Sequence, residues 1–394
     1  MGFAVAAKRN FSSHLESISV MNLALTTVNA ASPMAAAQLL LPLASAYAPA
    51  IHSPATAGVD IFTSGAEGYH CYRIPALLRL PSGELAAYVE GRKFSCNDHD
   101  WNDIVFKTSA DDGATWSPLR VAYSNSTASD HVTIGNPSPV VIDGAVVLVF
   151  CRNNKQVMTL RSADGIQWDG APTDVTAQAL GANWSARVDW IATGPPQGLV
   201  LPSSDGAERI VIQANYRGSG TAADVGFAIL SDDGGDTWRP SSGIVPACNE
   251  GQVAPAQNGS LIMNCRTDGY HRLLSWSDDR GDSWSPPISW YFGPPGSGSP
   301  CEGSVVRASA ELLAFSNNYG AGHGVENGCD RCNLTVWSSA DSGATWAGIA
   351  QVDDDPTVAG AYSALLALNA SHVLLVYERG GSKTIALRTV ALRP

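Results

Sequence analysis

Charge is scarce in this 394-residue chain. Only 15% of its residues are Asp, Glu, Lys or Arg, and Lys plus Arg number 24 against 36 Asp plus Glu, a net charge of −12. No stretch gathers Lys and Arg into a basic stripe, so nucleic acid is not an expected partner. An anionic substrate would have to be held by a local cluster of arginines against a repulsive overall field. Long apolar runs are missing as well. None reaches the roughly 18–20 residues of a membrane-spanning helix, so no membrane span is expected. Long amphipathic helical patterns are absent, while 38 Gly and 23 Pro punctuate the chain. Turn signals recur about every ten residues, which suits one all-β domain.

Against that background one short pattern repeats. Ser-x-Asp-x-Gly-x-Thr-Trp stands as SADDGATW at Ser109–Trp116, SDDGGDTW at Ser231–Trp238, SDDRGDSW at Ser277–Trp284 and SADSGATW at Ser339–Trp346. A copy one residue shorter, SADGIQW, runs from Ser162 to Trp168, and successive copies start 53, 69, 46 and 62 residues apart. Repetition at such a period marks units that bury their apolar faces only against neighbours. Within each copy, Asp and Gly suit a tight turn, the Ser, Thr and Asp side chains can tie its N–H groups, and the Trp plugs the hairpin. Strand-like flanks such as IVFKTS and VGFAIL make the boxes hairpin turns of four-stranded blades. From about residue 55 onward some 340 residues remain, enough for six blades of about 57. The expected architecture is a six-bladed β-propeller over residues 51–394.

The first fifty residues differ from the rest. They are rich in Ala and Ser, and MAAAQLLLPLASAYAPA from Met34 carries a short apolar stretch ahead of Ala-Tyr-Ala at Ala46–Ala48. Residues 1–50 therefore read as a leader, targeting or disordered segment without the usual basic start. Eight cysteines and five Asn-x-Ser/Thr sequons after residue 50, beginning at Asn125, Asn183, Asn258, Asn333 and Asn369, point to a secreted or lumenal protein. Cys329 and Cys332 form a single Cys-x-x-Cys with no second pair and no matching His spacing, so no zinc site is expected.

Polar residues then occur where bland sequence would be apolar. Arg73 lies in YRIPAL, and EGRK supplies Glu90 and Arg92. The acidic run CNDHDWNDIV holds Asp98 and Asp100 just before the first box. Further on come Glu250 in CNEGQVAP, Arg266 in MNCRTDG, Arg331 in CDRCNLTVWSS, Tyr362 in GAYSALL and Glu378 in LLVYERGG. Each alone is explained by turn chemistry or an ordinary strand end. Their order, in step with the boxes, is not.

Taken together these motifs resemble the exo-α-sialidases (neuraminidases), more the secreted bacterial type and its eukaryotic relatives than the viral type, over about residues 58–392. The repeated pattern is the family's Asp box, which also occurs in propellers without that activity and so speaks for fold rather than function. The resemblance implies a six-bladed propeller whose active site lies at the central axis. It implies that Arg73, Arg266 and Arg331 grip the sialic acid carboxylate, a task suited to guanidinium forks. Glu378 would orient Arg73, and Arg92 with Glu90 would form a pair at the pocket floor near the sugar's 4-substituent. Asp98, eleven residues before Ser109, matches the acid/base. Asp100 is its rival, because Asp100-Trp101 resembles a family variant. Tyr362 matches the nucleophile and Glu250 its partner. IGNPSPV around Asn136 and WIATGPPQGL around Trp190 resemble pocket-lining segments. A Cys329–Cys332 disulfide would stiffen the strand start that presents Arg331.

By the same resemblance the expected activity is that of a retaining exo-α-sialidase, hydrolysing terminal sialic acids from glycans, glycoproteins or glycolipids with no cofactor or metal. A trans-sialidase, or a hydrolase of a related nine-carbon acid, would carry the same groups. A non-catalytic sialic-acid-binding propeller is the rival of another class.

Overall fold

A computed structural model describes residues 58–392 apart from 182–186, 203–207, 222, 270, 292–300, 319–330 and 354–357. The expected leader at residues 1–50 lies outside the described residues, as does Cys329 of the expected Cys329–Cys332 pair.

The strands sort into six small antiparallel sheets, the blades of a β-propeller. Blade 1 is Cys71–Arg79, Leu85–Arg92, Asn102–Ser109 and Arg120–Tyr123. Blade 2 is Ile134–Ile142, Ala145–Arg152, Gln156–Ser162 and Thr173–Asp174. Blade 3 follows the path Val188–Thr193, Arg209–Gly218, Asp224–Ser231 and Arg239–Pro240, with two short side strands. Blade 4 is Gly251–Pro255, Leu261–Cys265, Arg272–Ser277 and Ile288–Trp290, and blade 5 is Ser304–Arg307, Leu313–Asn318, Leu334–Ser339 and Ala347–Gln351. Blade 6 takes Gly360–Asn369, His372–Arg379 and Thr384–Ala391 from the end of the chain and borrows Val59–Thr63 from its beginning. That borrowed strand closes the ring.

Apolar side chains explain why six units hold together. Each of the six main clusters of buried residues spans two adjacent blades; the one joining blades 6 and 1 contains Phe62, Tyr72, Leu77, Leu374 and Val376. Among the described residues none of these clusters is confined to a single blade, so each blade is stabilised by its neighbours. At the axis the first strands of neighbouring blades touch, except that blade 3 meets blade 4 through its second strand, Arg209–Gly218. Their free N–H groups are met by long polar side chains of adjacent blades. Glu378 Oε1 accepts from Ile74 N at 2.9 Å, Glu90 Oε1 from Asn136 N at 2.9 Å, Gln213 Oε1 from Gly251 N at 3.2 Å, and Glu302 Oε2 from Ser363 N at 2.9 Å. Buried backbone groups without such partners would cost free energy.

The five boxes are the turns that follow the third strands of blades 1 to 5. In each, the Ser Oγ accepts from the Gly N–H at 2.8–2.9 Å, and the Asp Oδ1 accepts from the N–H of the residue before the Trp at 2.8–2.9 Å. In four of them the Trp Nε1 closes the loop on the Gly carbonyl at 3.0–3.2 Å. The shortened copy keeps these bonds, with Gln167 donating in place of Thr. Glycine is required at Gly113, whose φ is +94° and whose Cβ position would lie 2.1 Å from Leu387 Cδ2.

Strand direction separates the boxes from the chemistry. First strands start, second strands end and third strands start at one face of the ring, while third strands end in boxes at the other. The expected site residues all belong to the first face.

Candidate active site

Arg73 is the third residue of the first strand of blade 1, and Asn136, Trp190 and Tyr362 hold the same third position in blades 2, 3 and 6. The ends of second strands bring Glu90 and Arg92 from blade 1, Arg217 from blade 3 and Glu378 from blade 6, and Arg266 follows the second strand of blade 4. Asp98 and Arg331 lie on the approaches to third strands, and Glu250 immediately precedes blade 4. A cavity of about 260 Å³ opens among these elements, lined by Asp98, Glu250, Arg266, Tyr362, Glu90 and Arg92 among others; Arg73 and Arg331 are not in its lining and join the site through their contacts to Asp98 and Tyr362, and Glu378 joins it through Arg73.

Two first strands are deformed where they enter the site. Ile74 and Asn136 both adopt positive φ, +59° and +56°, each just before a proline and each inside a break in strand register. A β-branched residue in that region is strained. The compensation is specific, because each of these N–H groups is received by a buried glutamate, Glu378 or Glu90.

Arg73 is clamped by Glu378, Nε to Oε1 at 3.0 Å and Nη2 to Oε2 at 3.1 Å. Its Nη1 lies 3.3 Å from Asp98 Oδ1. Arg92 is buried and donates to Glu90 Oε2 through Nε at 3.0 Å and Nη2 at 2.7 Å, and through Nη1 to Asp98 Oδ1 at 2.9 Å. Burial pushes the Asp98 carboxyl up, but the pull of Arg92 and then Arg73 outweighs it and holds the group below the usual carboxylate range. Asp100 sits elsewhere. Its carboxylate receives Trp101 N at 2.8 Å and faces His131 Nδ1 at 2.7 Å, and it does not line the cavity.

Tyr362 is the meeting point of the remaining groups. Its hydroxyl donates to Glu250 Oε1 at 2.6 Å and receives Arg266 Nη1 at 3.0 Å, while Arg266 Nη1 also reaches Glu250 Oε2 at 2.5 Å. The guanidiniums of Arg73 and Arg331 lie over the Tyr362 ring, 5.0 and 5.6 Å from its centre. Three arginines from blades 1, 4 and 5 thus converge on one tyrosine. Arg266 Nε is buried and has no hydrogen-bond partner among the described residues. Burial and then Glu250 drive the Tyr362 phenol well above its ordinary range, so at rest it is neutral.

Several functional neighbours were not anticipated from the sequence. Disulfides join Cys71 to Cys96 and Cys248 to Cys265. The first ties the strand of Arg73 to the loop of Asp98. The second ties the segment of Glu250 to that of Arg266. Each cysteine lies one or two residues from the group it anchors, and that adjacency was the available signal. Arg272 and Glu302 are fully buried. Arg272 donates to Asn264 Oδ1 at 2.7 Å and to the Cys301 carbonyl at 2.6 Å. Burial raises Glu302 well above the usual carboxylate range while its Oε2 holds the N–H next to Tyr362. Asn249, whose Oδ1 accepts the Glu250 N–H, and Asp224, which receives Asn249 Nδ2, had no sequence signal.

The chain has relatives among known proteins. The BNR repeat-like domain family matches residues 83–375. The sialidase of Paraclostridium sordellii is 27% identical, over 79% of this chain and 82% of its own length. The sialidase of Micromonospora viridifaciens is 27% identical over 91% of this chain and 56% of its own, so the chain spans little more than half of that relative. Human sialidase-4 is 31% identical over 60% of this chain and 54% of its own length. Among solved structures, a Hadza microbial sialidase superposes with a TM-score of 0.71 at 24% identity, covering 85% of this chain and 68% of its own. Trypanosoma rangeli sialidase gives 0.66 at 20% identity over 85% and 58%. The two structures share the propeller fold, the family match across most of the propeller shows that the chain belongs to the BNR repeat-like domain family, and its sequence relatives there are sialidases.

Proposed function

We propose that this protein is an exo-α-sialidase that releases terminal sialic acids from glycoconjugates with retention, using Tyr362 as nucleophile, Glu250 as its base and Asp98 as acid/base. The observation that carries the reading is the Tyr362 hydroxyl donating to Glu250 at 2.6 Å under the guanidiniums of Arg73 and Arg331.

The substrate carboxylate binds Arg73, Arg266 and Arg331, which places the anomeric carbon above Tyr362. A carboxylate nucleophile would approach that carbon against the substrate's own negative charge; a neutral phenol does not. As the Tyr362 oxygen attacks, its proton passes to Glu250 Oε1, and Asp98 protonates the departing glycosidic oxygen. A tyrosyl glycoside forms. Water then attacks the same carbon, Asp98 takes the water proton, and the tyrosyl oxygen leaves and recovers its proton from Glu250. Asp98 is held ionised in the free protein by Arg92 and Arg73. A substrate carboxylate on Arg73 offsets part of that pull and raises the Asp98 pKa, so substrate binding helps to load its own acid. Trans-sialidases and hydrolases of related nine-carbon acids would use the same groups, and product analysis with added lactose separates them.

The test is fluorophore release from the 4-methylumbelliferyl glycoside of N-acetylneuraminic acid by the parent and by Tyr362→Phe. Activity in the parent with a large loss in the variant is expected. Undiminished activity in the variant would overturn the nucleophile, and an inactive, folded parent would overturn the hydrolase reading.

A further inference from the structure

Five Asn-x-Ser/Thr sequons run through the propeller, and the proposed chemistry uses none of them. Asn183 lies outside the described residues. The other four fall into different settings. Asn369 ends the first strand of blade 6 and Asn258 follows the first strand of blade 4, so both stand in turns on the box face. Asn125 follows the fourth strand of blade 1 and Asn333 immediately precedes the third strand of blade 5, which puts these two on the face of the site. Asn125 is exposed in a loop where Thr127 Oγ1 is engaged elsewhere, accepting Asp130 N at 3.1 Å.

The two turns on the box face share one construction. Asn258 Oδ1 accepts Ser260 N at 3.1 Å and Ser260 Oγ at 2.7 Å, and Asn369 Oδ1 accepts Ser371 N and Ser371 Oγ, both at 2.9 Å. Both asparagines are exposed, and neither Nδ2 has a hydrogen-bond partner among the described residues. Such a turn needs an acceptor at that position but not an amide. Blade 1 shows as much. Its turn Leu80–Glu84 repeats the backbone bonds of Ala256–Ser260: Leu80 N and Ala256 N each donate 2.8 Å to the carbonyl four residues on, and Gly83 N and Gly259 N donate back at 2.9 and 3.2 Å. There the acceptor is Ser82 Oγ, which receives Glu84 N at 3.3 Å. Asn258 thus carries an NH₂ group that the turn does not use. Asn333 is the opposite case. It is half-buried, its Oδ1 is buried without a partner, and the Thr335 hydroxyl donates to its main-chain carbonyl at 3.0 Å. A sugar on Asn333 would have to pull the side chain out of its packing two residues from Arg331.

The bridges Cys71–Cys96 and Cys248–Cys265 independently place folding in an oxidising compartment, where such a modification occurs. We propose that Asn258 and Asn369 are N-glycosylation sites, carrying two glycans on the box face, opposite the cavity, and that Asn333 stays unmodified. In the transfer the Asn Nδ2 bonds to the anomeric carbon of a lipid-linked oligosaccharide diphosphate. The carbon–oxygen bond to the diphosphate breaks, the diphosphate leaves with the electron pair, and one amide proton passes to solvent. Oδ1 is untouched, so neither turn loses a hydrogen bond. No residue of the candidate active site takes part, so the assignment stands apart from the catalytic reading.

The experiment digests the protein isolated from the cells that make it and treats the peptides with a peptide:N-glycosidase in heavy-oxygen water, which turns each glycosylated Asn into a labelled Asp that mass spectrometry locates. A parallel digest without the enzyme corrects for spontaneous deamidation at Asn258-Gly259. Label is expected at Asn258 and Asn369, with Asn333 recovered as Asn. Asn258→Asp and Asn369→Asp keep the acceptor that closes each turn and remove the Nδ2. Expressed through a eukaryotic secretory pathway, each variant should lose one glycan step in gel mobility, and the double variant two. Recovery of either Asn258 or Asn369 as unlabelled Asn, label equal with and without the enzyme, or label at Asn333 overturns the proposal. Mobility unchanged in the Asp variants overturns it as well.

Discussion

Replacing Glu250 with Gln isolates the proton transfer on which the proposed chemistry depends. Gln has nearly the same shape, so the 2.6 Å contact to the Tyr362 hydroxyl can persist, but it cannot take the proton. Positioned general bases contribute about 10²–10⁴ in rate, and burial raises Tyr362 well above its ordinary pKa, so the upper half of that range applies. The expected loss in kcat is on the order of 10³-fold, about 4 kcal/mol at 1.4 kcal/mol per decade. KM should move the other way. Glu250 competes for Arg266, which it meets at 2.5 Å, and removing its charge frees that guanidinium for the substrate carboxylate. Stability should fall, because a mostly buried arginine is left without its ion-pair partner. Arg266 is 19% exposed, so the cost should lie below the 3–5 kcal/mol of a fully buried pair, at about 1–3 kcal/mol.

The assay is steady-state fluorophore release with kcat and KM resolved, alongside thermal unfolding of each protein. The double variant Glu250→Gln/Tyr362→Phe is the sharper control. If the two groups act as one unit, it should be scarcely slower than Tyr362→Phe alone. A kcat within tenfold of the parent for Glu250→Gln, or losses that simply multiply in the double variant, would refute the pairing of base and nucleophile.

Asp98→Asn should cost at least 10²-fold in kcat on sialyllactose and less on the aryl glycoside, whose leaving group needs little protonation, whereas Asp100→Asn should leave both within a few-fold; equal losses at the two positions would contradict the cavity assignment. Asp98 must be protonated to act, and its pKa is depressed in the free protein. Activity should therefore fall as pH rises, with an acidic optimum, and the fall in kcat should come at higher pH than the fall in kcat/KM because bound substrate relieves Arg73; an optimum above pH 8 would sink this reasoning. As a folding group Asp98 stabilises the protein only above its unfolded pKa, and that contribution disappears as pH drops through the lower folded value, though at 72% side-chain exposure it is small. Gly113→Ala should lower the melting temperature, through strain at φ +94° and a Cβ placed 2.1 Å from Leu387 Cδ2, by an amount equivalent to about 1–3 kcal/mol, with kcat/KM of the folded protein unchanged. Reduction of the Cys248–Cys265 bridge, or its replacement by serines, should lower activity more than stability, since its ends carry Glu250 and Arg266; full activity after verified reduction would show that the anchor is dispensable.

The parts of this protein legible in its sequence are those written in local chemistry. A box turn is closed within about eight residues by its own Ser, Asp and Gly, so its pattern shows whatever surrounds it. The ordered arginines, tyrosine and glutamates were legible because turn chemistry does not by itself place charged residues at successive strand ends in step with the boxes. The contacts that stayed hidden depend on strand pairing, register and turn geometry rather than on local spelling. Nothing near Val59–Thr63 says that it pairs with Thr384–Ala391 across the whole chain. Asp224 looks like any strand-start aspartate until register places Arg217 and Asn249 on its two oxygens. Asp98 and Asp100 are inseparable as letters. Only the turn that gives one to Arg92 and the other to His131 distinguishes them.

The concealed contacts share a purpose set by the architecture. A propeller site is assembled from six units, and each supplies only one or a few groups, so small rotations between blades would disperse it. The cross-blade carboxylates oppose that motion at the positions where chemistry is presented. Glu378 fixes Arg73 while receiving the strained Ile74 N–H, Glu90 fixes Arg92 while receiving Asn136 N–H, and Glu302 receives the N–H that follows Tyr362. In each case one buried carboxylate joins two blades and sets a site residue in the same stroke. Its removal would expose an unpaired donor and release a functional side chain together. Loss of activity and loss of stability should therefore be correlated at Glu378, Glu90 and Glu302, and uncoupled at the boxes, which hold the far face alone.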